Sequence, residues 1–125
     1  MEKRKEQNLY YAVPNYGEPV EVSVRYDEYN DNSSLAVLLY TRPKDGFGPD
    51  GEIMPGFGGL EELYAVITVN LPESDLLPWD TQFIDNNNHP WVYKWLIDND
   101  IAEPTGLICR SGFCSYPAMK FHIAG

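Results

Sequence analysis

The sequence predicts an α+β domain: one amphipathic helix, at about residues 89–100, packed on a mainly antiparallel sheet of four to six strands. Three observations predict it. Val20-Glu21-Val22-Ser23-Val24-Arg25-Tyr26 alternates apolar and polar side chains with period two, the pattern of a half-buried strand. Tyr64-Ala65-Val66-Ile67-Thr68-Val69-Asn70-Leu71 is rich in β-branched residues and stops at Pro72, which has no N–H to give to a ladder. From Trp91 to Asp98 the period changes to that of a helix.

Taken in order, Met1 to Asn8 is a polar, basic start and is expected to be disordered. The strand at Val20 leads through the turn-rich Asp27 to Ser34 into Leu35-Ala36-Val37-Leu38-Leu39-Tyr40-Thr41-Arg42, an apolar run of strand length, so the two are expected to pair as a hairpin. Residues 43–63 follow as a long loop rich in glycine and proline. Tyr64 to Leu71 is then the third strand, expected to be central, and Thr81-Gln82-Phe83-Ile84-Asp85 a short fourth. The asparagines at 86–88 suit an N-cap and Pro90 the first turn of a helix. On a helical wheel Trp91, Val92, Tyr93, Trp95 and Leu96 cover one broad arc with Ile97 at its edge, while Lys94 and Asp98 face water four residues apart. The two tryptophans read as core anchors. Glu103-Pro104-Thr105-Gly106 is expected to break the chain, and Leu107 to Cys109 and Cys114 to Ile123 to form two last strands around Ser111-Gly112.

A length of 125 residues, 43% of them apolar, is enough for one domain with its own core, despite a net charge of −10. The longest apolar run, Leu35 to Tyr40, is far below a membrane span, and the N-terminal segment is broken at Pro14 before it could serve as a signal sequence. A soluble, cytoplasmic protein is expected. Asp45 to Glu103 holds twelve acids against one base, Lys94. Such a field repels nucleic acid and anionic membrane and attracts basic protein surfaces. Direct nucleic-acid binding would need a basic patch, and the one cluster is Lys3-Arg4-Lys5 at the terminus.

The motifs that could carry chemistry are sparse. The segment from Pro43 to Gly59 has many glycines but no Lys and Ser/Thr pair opening a helix, its prolines remove donors and acids surround it, so it does not cradle a phosphate. Asp45, Asp50 and Glu52 offer hard oxygens without the spacing of a calcium loop. Phe47 and Phe57, each flanked by glycines, are candidate partner contacts. Cys109 and Cys114, four residues apart, with His122 and the distant His89, are candidate zinc ligands that lack the paired spacing of a zinc finger. If Ser111-Gly112 is a two-residue turn, Cys109 faces Cys114 across a hairpin. Neither cysteine sits in a recognisable nucleophile turn, so no catalytic residue is assigned, no cofactor is expected, and the chain reads as non-enzymatic.

Tyr64 to Leu71, Phe83-Ile84-Asp85-Asn86-Asn87-Asn88, Glu103-Pro104-Thr105-Gly106 and Arg110-Ser111-Gly112-Phe113-Cys114-Ser115-Tyr116-Pro117-Ala118-Met119-Lys120-Phe121 resemble a small uncharacterised domain family encoded on bacterial plasmids, conjugative elements and phages. The resemblance covers about residues 35–122 and brings no catalytic residues. The chain departs from it at Pro43 to Leu63, where the family makes a short turn. The resemblance implies cargo of a mobile element, a setting in which small acidic proteins resemble anti-restriction and anti-CRISPR inhibitors. The expected function is therefore a non-catalytic, protein-binding accessory protein that presents carboxylates to the basic surface of a nucleic-acid-processing nuclease. Glu61, Glu62, Glu73, Asp75 and Asp80, which bracket the third strand, are its candidate contacts. The alternatives are an accessory module whose charge serves only solubility, and a small zinc- or thiol-dependent enzyme.

Overall fold

The computed structural model describes residues 10–14, 19–41, 46–54 and 62–123. The first eight residues, expected to be disordered, lie outside them, as do Glu61 and Phe57. Two four-stranded antiparallel sheets carry the fold. β1 (Tyr10–Val13), β2 (Val20–Glu28) and β3 (Leu35–Thr41) pair in sequence, and β6 (Leu63–Val66) joins the far side of β3. Between β3 and β6 a small hairpin of β4 (Gly46–Phe47) and β5 (Ile53–Met54) stands within the long loop. The second sheet runs β7 (Thr68–Val69), β8 (Thr81–Ile84), β10 (Cys114–Phe121), β9 (Ala102–Ser111). The helix, α1 (Val92–Asp98), falls between β8 and β9.

The hairpin expected from the alternation is present. Val24 pairs Leu39 and Tyr26 pairs Val37, so Val22, Val24, Val37 and Leu39 share one buried face. The third expected strand is a correction. It is not central in one sheet but bends at Ile67 and passes from the first sheet to the second. Ile67 donates its N–H to Val37 of β3 (3.0 Å) and accepts from Asp85 beyond β8 (2.9 Å). A strand that changes sheets in this way makes the corner of the fold, and Ile67, fully buried, fills it. The Thr68 hydroxyl next to it accepts Val37 N–H (3.1 Å) and meets the Tyr29 hydroxyl (3.0 Å).

The helix is shorter than the expected 89–100. Asp85 holds the asparagine turn, accepting from Asn88 N (3.2 Å) and Asn88 Nδ2 (2.9 Å), so residues 86–88 serve that turn and Pro90 stands outside the helix. Its end is a Schellman closure, with Ile101 N on Leu96 O (2.9 Å), Asp100 N on Ile97 O (3.0 Å) and Asp100 at φ 56°. Trp95 anchors it in the core. Its indole donates to Ala12 O of β1 (2.9 Å) and meets Tyr11 and Trp91 edge to face. Lys94 and Asp98 pair at 2.7 Å, both exposed.

Glu103 to Gly106 does not break the chain. It lies inside β9, where Gly106 takes φ +88° and a register shift on β10 between Pro117 and Met119 absorbs the irregularity. The final turn is also one residue later than expected. Ser111 pairs Cys114 and the two central residues are Gly112 and Phe113, because this tight turn needs positive φ at its first central position and Gly112 supplies it at φ +65°. Cys109 therefore opposes Tyr116, not Cys114, and the cysteines are diagonal neighbours on one face of the hairpin.

A candidate partner-binding groove

The core between the sheets covers one face of the second sheet. On the other face a smaller cluster of Leu71, Phe83 and Ala118 forms, with Val69, Leu77, Cys109 and Tyr116 against it. No helix among the described residues roofs this face. Its partial cover is a single 3-10 turn, Pro72–Leu76, which the sequence places by putting Pro72 at its first position.

A buried polar knot fixes that turn. Ser74, 2% exposed, donates to Gln82 Oε1 (2.7 Å) and accepts from Leu71 N (2.9 Å). Gln82 is wholly buried; its Oε1 also accepts Phe83 N (2.9 Å), while its Nε2 donates to Leu35 O (2.8 Å) and Ser34 Oγ (3.2 Å). All four hydrogen-bonding positions of the amide are filled. With Ser74 held inward, Glu73, Asp75 and Leu76 are left outward, and Leu76 is 83% exposed.

Beside the turn a groove of about 390 Å³ is lined by Glu73, Leu76, Leu77, Phe83, Leu107, Ile108, Cys109 and Arg110. Leu107 is also a wall of a second concavity of about 410 Å³, with Pro78, Trp79, Asp80, Thr81, Thr105 and Lys120. Trp79 in turn borders a third, of about 320 Å³, with Tyr26, Asp27, Glu28, Ser33, Leu35 and Ile123. The three concavities share walls and form one band. Leu76, Trp79, Leu107 and Ile108, all more than half exposed, mark its course, and apolar surface left in this arrangement is typical of binding sites. Glu73, Asp27, Glu28 and Asp80 set an acidic rim against two bases, Arg110 and Lys120.

The edge of β9 is poorly suited to taking on a further strand. Pro104 has no N–H to offer, and the Thr105 hydroxyl takes the N–H of Leu107 (3.1 Å) while donating to Ala118 O (2.9 Å). These features blunt the free edge of β9.

Of the residues singled out in the sequence, Glu73 and Asp80 line the band and Asp75 stands exposed on the turn between them. Glu62 lies elsewhere, at the end of the first sheet, where its N–H bonds Thr41 Oγ1 (3.2 Å) and its carbonyl accepts Thr41 N (2.7 Å). Phe47 lies in β4, paired with Ile53. Cys109 faces the groove; partial desolvation, then Glu73, pushes its thiol pKa up, so it stays protonated. His122 follows the last residue of β10, eight residues and roughly 26 Å of strand from Cys114 at the hairpin tip. Its two ring nitrogens are engaged by Asp100 O (2.8 Å) and Glu103 Oε1 (3.0 Å). Cys109, Cys114 and His122, three of the four candidate zinc ligands, are thus not brought together, and among the described residues no group of three His, Cys, Asp or Glu converges on a metal position.

Residues 52–124 match the family described as Domain of unknown function (DUF4313). The chain belongs to that family. The DUF4313 match takes in the second sheet, the 3-10 turn and α1, so the groove and the Leu107 concavity lie wholly within the family domain, whereas Asp27 and Glu28 of the third concavity lie outside it. No curated protein and no solved structure matches the chain. No helix among the described residues is long and apolar enough to cross a membrane.

The sequence reading missed Leu76, Trp79, Leu107 and Ile108. Leu76-Leu77-Pro78-Trp79 is an apolar island within the acidic stretch, and that island was the available signal. Leu107 and Ile108 were not legible as exposed because two apolar residues in a row read as a strand buried on both faces, whereas both are exposed on the edge strand β9.

Proposed function

We propose that this protein is a non-catalytic binding protein that docks on a basic protein surface through the band running from Leu76 over Leu107 to Trp79. The single observation that carries this reading is the uncovered apolar face of the second sheet, with Leu76 and Leu107 exposed beside Glu73. Apolar anchors of this kind supply affinity, and surrounding charges set the rate and choice of partner. The mobile-element setting implied by the family resemblance supplies a partner of the right chemistry: a host restriction or CRISPR nuclease, whose nucleic-acid channel is lined with Lys and Arg. Glu73, Asp75 and Asp80 then lie where they can meet such a channel.

Co-expression with a panel of restriction and CRISPR effectors, scored by survival of plasmid or phage, tests this. Survival is expected to rise with one effector, and the complex to weaken by about tenfold with Leu107→Asp and to weaken again as salt is raised. Protection by no effector, or a complex indifferent to both Leu107→Asp and salt, rejects the proposal.

A further inference from the structure

The β9–β10 hairpin runs past the sheet that carries it. β8 ends its pairing with β10 at Ala118, yet β9 and β10 go on pairing through Ile108 with Pro117, Cys109 with Tyr116 and Arg110 with Ser115 to Ser111 with Cys114. From Ala118 to Cys114 this two-stranded ribbon extends roughly 13 Å beyond β8. Its root is held, since Cys109 and Tyr116 pack against Leu71, Phe83 and Ala118. Beyond the root Arg110, Ser111, Gly112, Phe113 and Ser115 are exposed, and the Phe113 side chain at the tip is fully so.

The fold does not call for a phenyl ring there. The turn needs positive φ at Gly112, and Phe113 has negative φ, so most side chains would close it. Charge also sets this hairpin apart. Pro104 to Gly125 contains no Asp or Glu and two bases, Arg110 and Lys120, a formal +2 in a chain of −10.

We propose that Phe113 is an anchor: the hairpin inserts it into an apolar pocket of the docked protein partner, with Arg110 meeting a carboxylate on the rim of that pocket. The inference rests on the docking reading and gives it a second point of attachment. The hairpin is continuous with the band, because Cys109 and Arg110 belong to it and also border the groove beside Leu76. A phenyl ring held on a paired ribbon offers a large apolar area with few rotamers to freeze, the property of an aromatic anchor. Arg110 repels the basic surface that suits Glu73, Asp75 and Asp80, so the partner's footprint has two parts: basic against the turn, apolar and acid-rimmed against the hairpin. A second copy of the protein and an anionic membrane are poor occupants, since each copy carries a net charge of −10.

Calorimetric titration of the purified full chain against the effector selected by the survival screen tests the assignment. Phe113→Ser is expected to weaken the complex by about tenfold with Tm unchanged, Phe113→Trp to keep most of the affinity, and Arg110→Glu to weaken it by about threefold to tenfold. A photo-crosslinking p-benzoylphenylalanine placed at position 113 is expected to label apolar residues of the effector that lie beside an Asp or Glu. An unchanged affinity in Phe113→Ser, or labelling of a Lys- and Arg-lined surface, overturns the proposal. So does a dimer of the chain, or its sedimentation with phosphatidylcholine vesicles, that Phe113→Ser abolishes, because the tip then has another occupant. If Phe113→Ser has no effect while Leu107→Asp still breaks the complex, the anchor is wrong and the docking reading stands. If Phe113→Ser breaks the complex while Leu107→Asp and salt have no effect, the anchor stands and docking through the band falls. A chain that binds none of the effectors overturns both.

Discussion

The hydroxyl of Ser74 donates to Oε1 of Gln82 at 2.7 Å, and this one bond joins the turn that carries Glu73, Asp75 and Leu76 to β8 in the middle of the second sheet. Through Nε2 of the same amide the link continues to Leu35 O and Ser34 Oγ in the first sheet. Gln82→Leu keeps the volume but removes the partners of Ser74 Oγ, Phe83 N and Leu35 O. Each buried polar group left without a partner costs about 1–3 kcal/mol. The variant is expected to lose about 3 kcal/mol in denaturant unfolding, with faster amide exchange at Leu71. Ser74→Ala, which leaves Leu71 N and Gln82 Oε1 each one partner short, is expected to lose about half of that. A loss below about 1 kcal/mol in Gln82→Leu shows that the knot does not hold the turn.

At the other end of the second sheet the turn tests a backbone argument. Gly112 sits at φ +65°, and a Cβ added there meets nothing within 4 Å, so the cost of Gly112→Ala is the strain of the left-handed conformation alone. That strain is about 1 kcal/mol, or about 4 °C in Tm for a chain of this size. Phe113→Ser beside it is expected to leave Tm unchanged, because the Phe113 side chain is fully exposed. Thermal unfolding of the two variants decides it. Equal losses would mean that Phe113, not the glycine, closes the hairpin.

These two positions also show how far the sequence could be read. The β2–β3 hairpin was legible because a half-buried strand imprints a period of two, and α1 because Val92, Trp95 and Leu96 recur on one arc. The class, α+β with one helix, follows from those patterns and holds. The division into two sheets was not legible, because the bend at Ile67 is decided by what Val37 and Asp85 offer as partners, and both are distant in sequence. The turn at Gly112 was displaced by one residue for a local reason: Ser111-Gly112 and Gly112-Phe113 both contain the glycine, and only the second puts it first. The candidate site was half legible. Charge marked Glu73 and Asp80, but exposure of Leu107 is a property of the uncovered sheet face.

His122 binds the helix exit to the start of β9, with Nδ1 on Asp100 O (2.8 Å) and Nε2 on Glu103 Oε1 (3.0 Å). Only the imidazolium can donate to both, and the hydrogen bond to the Asp100 backbone, then the Glu103 carboxylate, raises its pKa above the ordinary 6.5. A pKa raised on folding adds stability that is fully present below 6.5 and is lost as the pH rises through the folded value. The contact is solvent-screened, so its worth is about 0.5 kcal/mol. The stability difference between wild type and His122→Ala is expected to be larger at about pH 5.5 than at about pH 9. A difference that is flat or grows with pH removes this role from His122.

Cys109 and Glu73 make the last test, and it touches the groove itself. Cys109 opposes Tyr116 while Cys114 opposes Ser111, so the sulfur-bearing residues are offset by two positions, a diagonal separation of roughly 7–8 Å that exceeds what a disulfide spans without backbone movement. Two free thiols are expected to titrate without reductant, in the native and in the unfolded protein alike. Partial desolvation and then Glu73 keep the Cys109 thiol protonated, and the thiolate is the reactive form. Glu73→Gln removes the second cause only, so alkylation of Cys109 by iodoacetamide near neutral pH is expected to quicken by about twofold to threefold, followed by mass spectrometry of the modified peptide. Iodoacetamide adds its bulk to a wall of the groove, between Glu73 and Ile108, so the alkylated protein is expected to bind its partner less well, as Leu107→Asp does. An unchanged rate in Glu73→Gln would show that the carboxylate does not act on the thiol, and an alkylated protein that binds as before would place the partner's footprint away from Cys109.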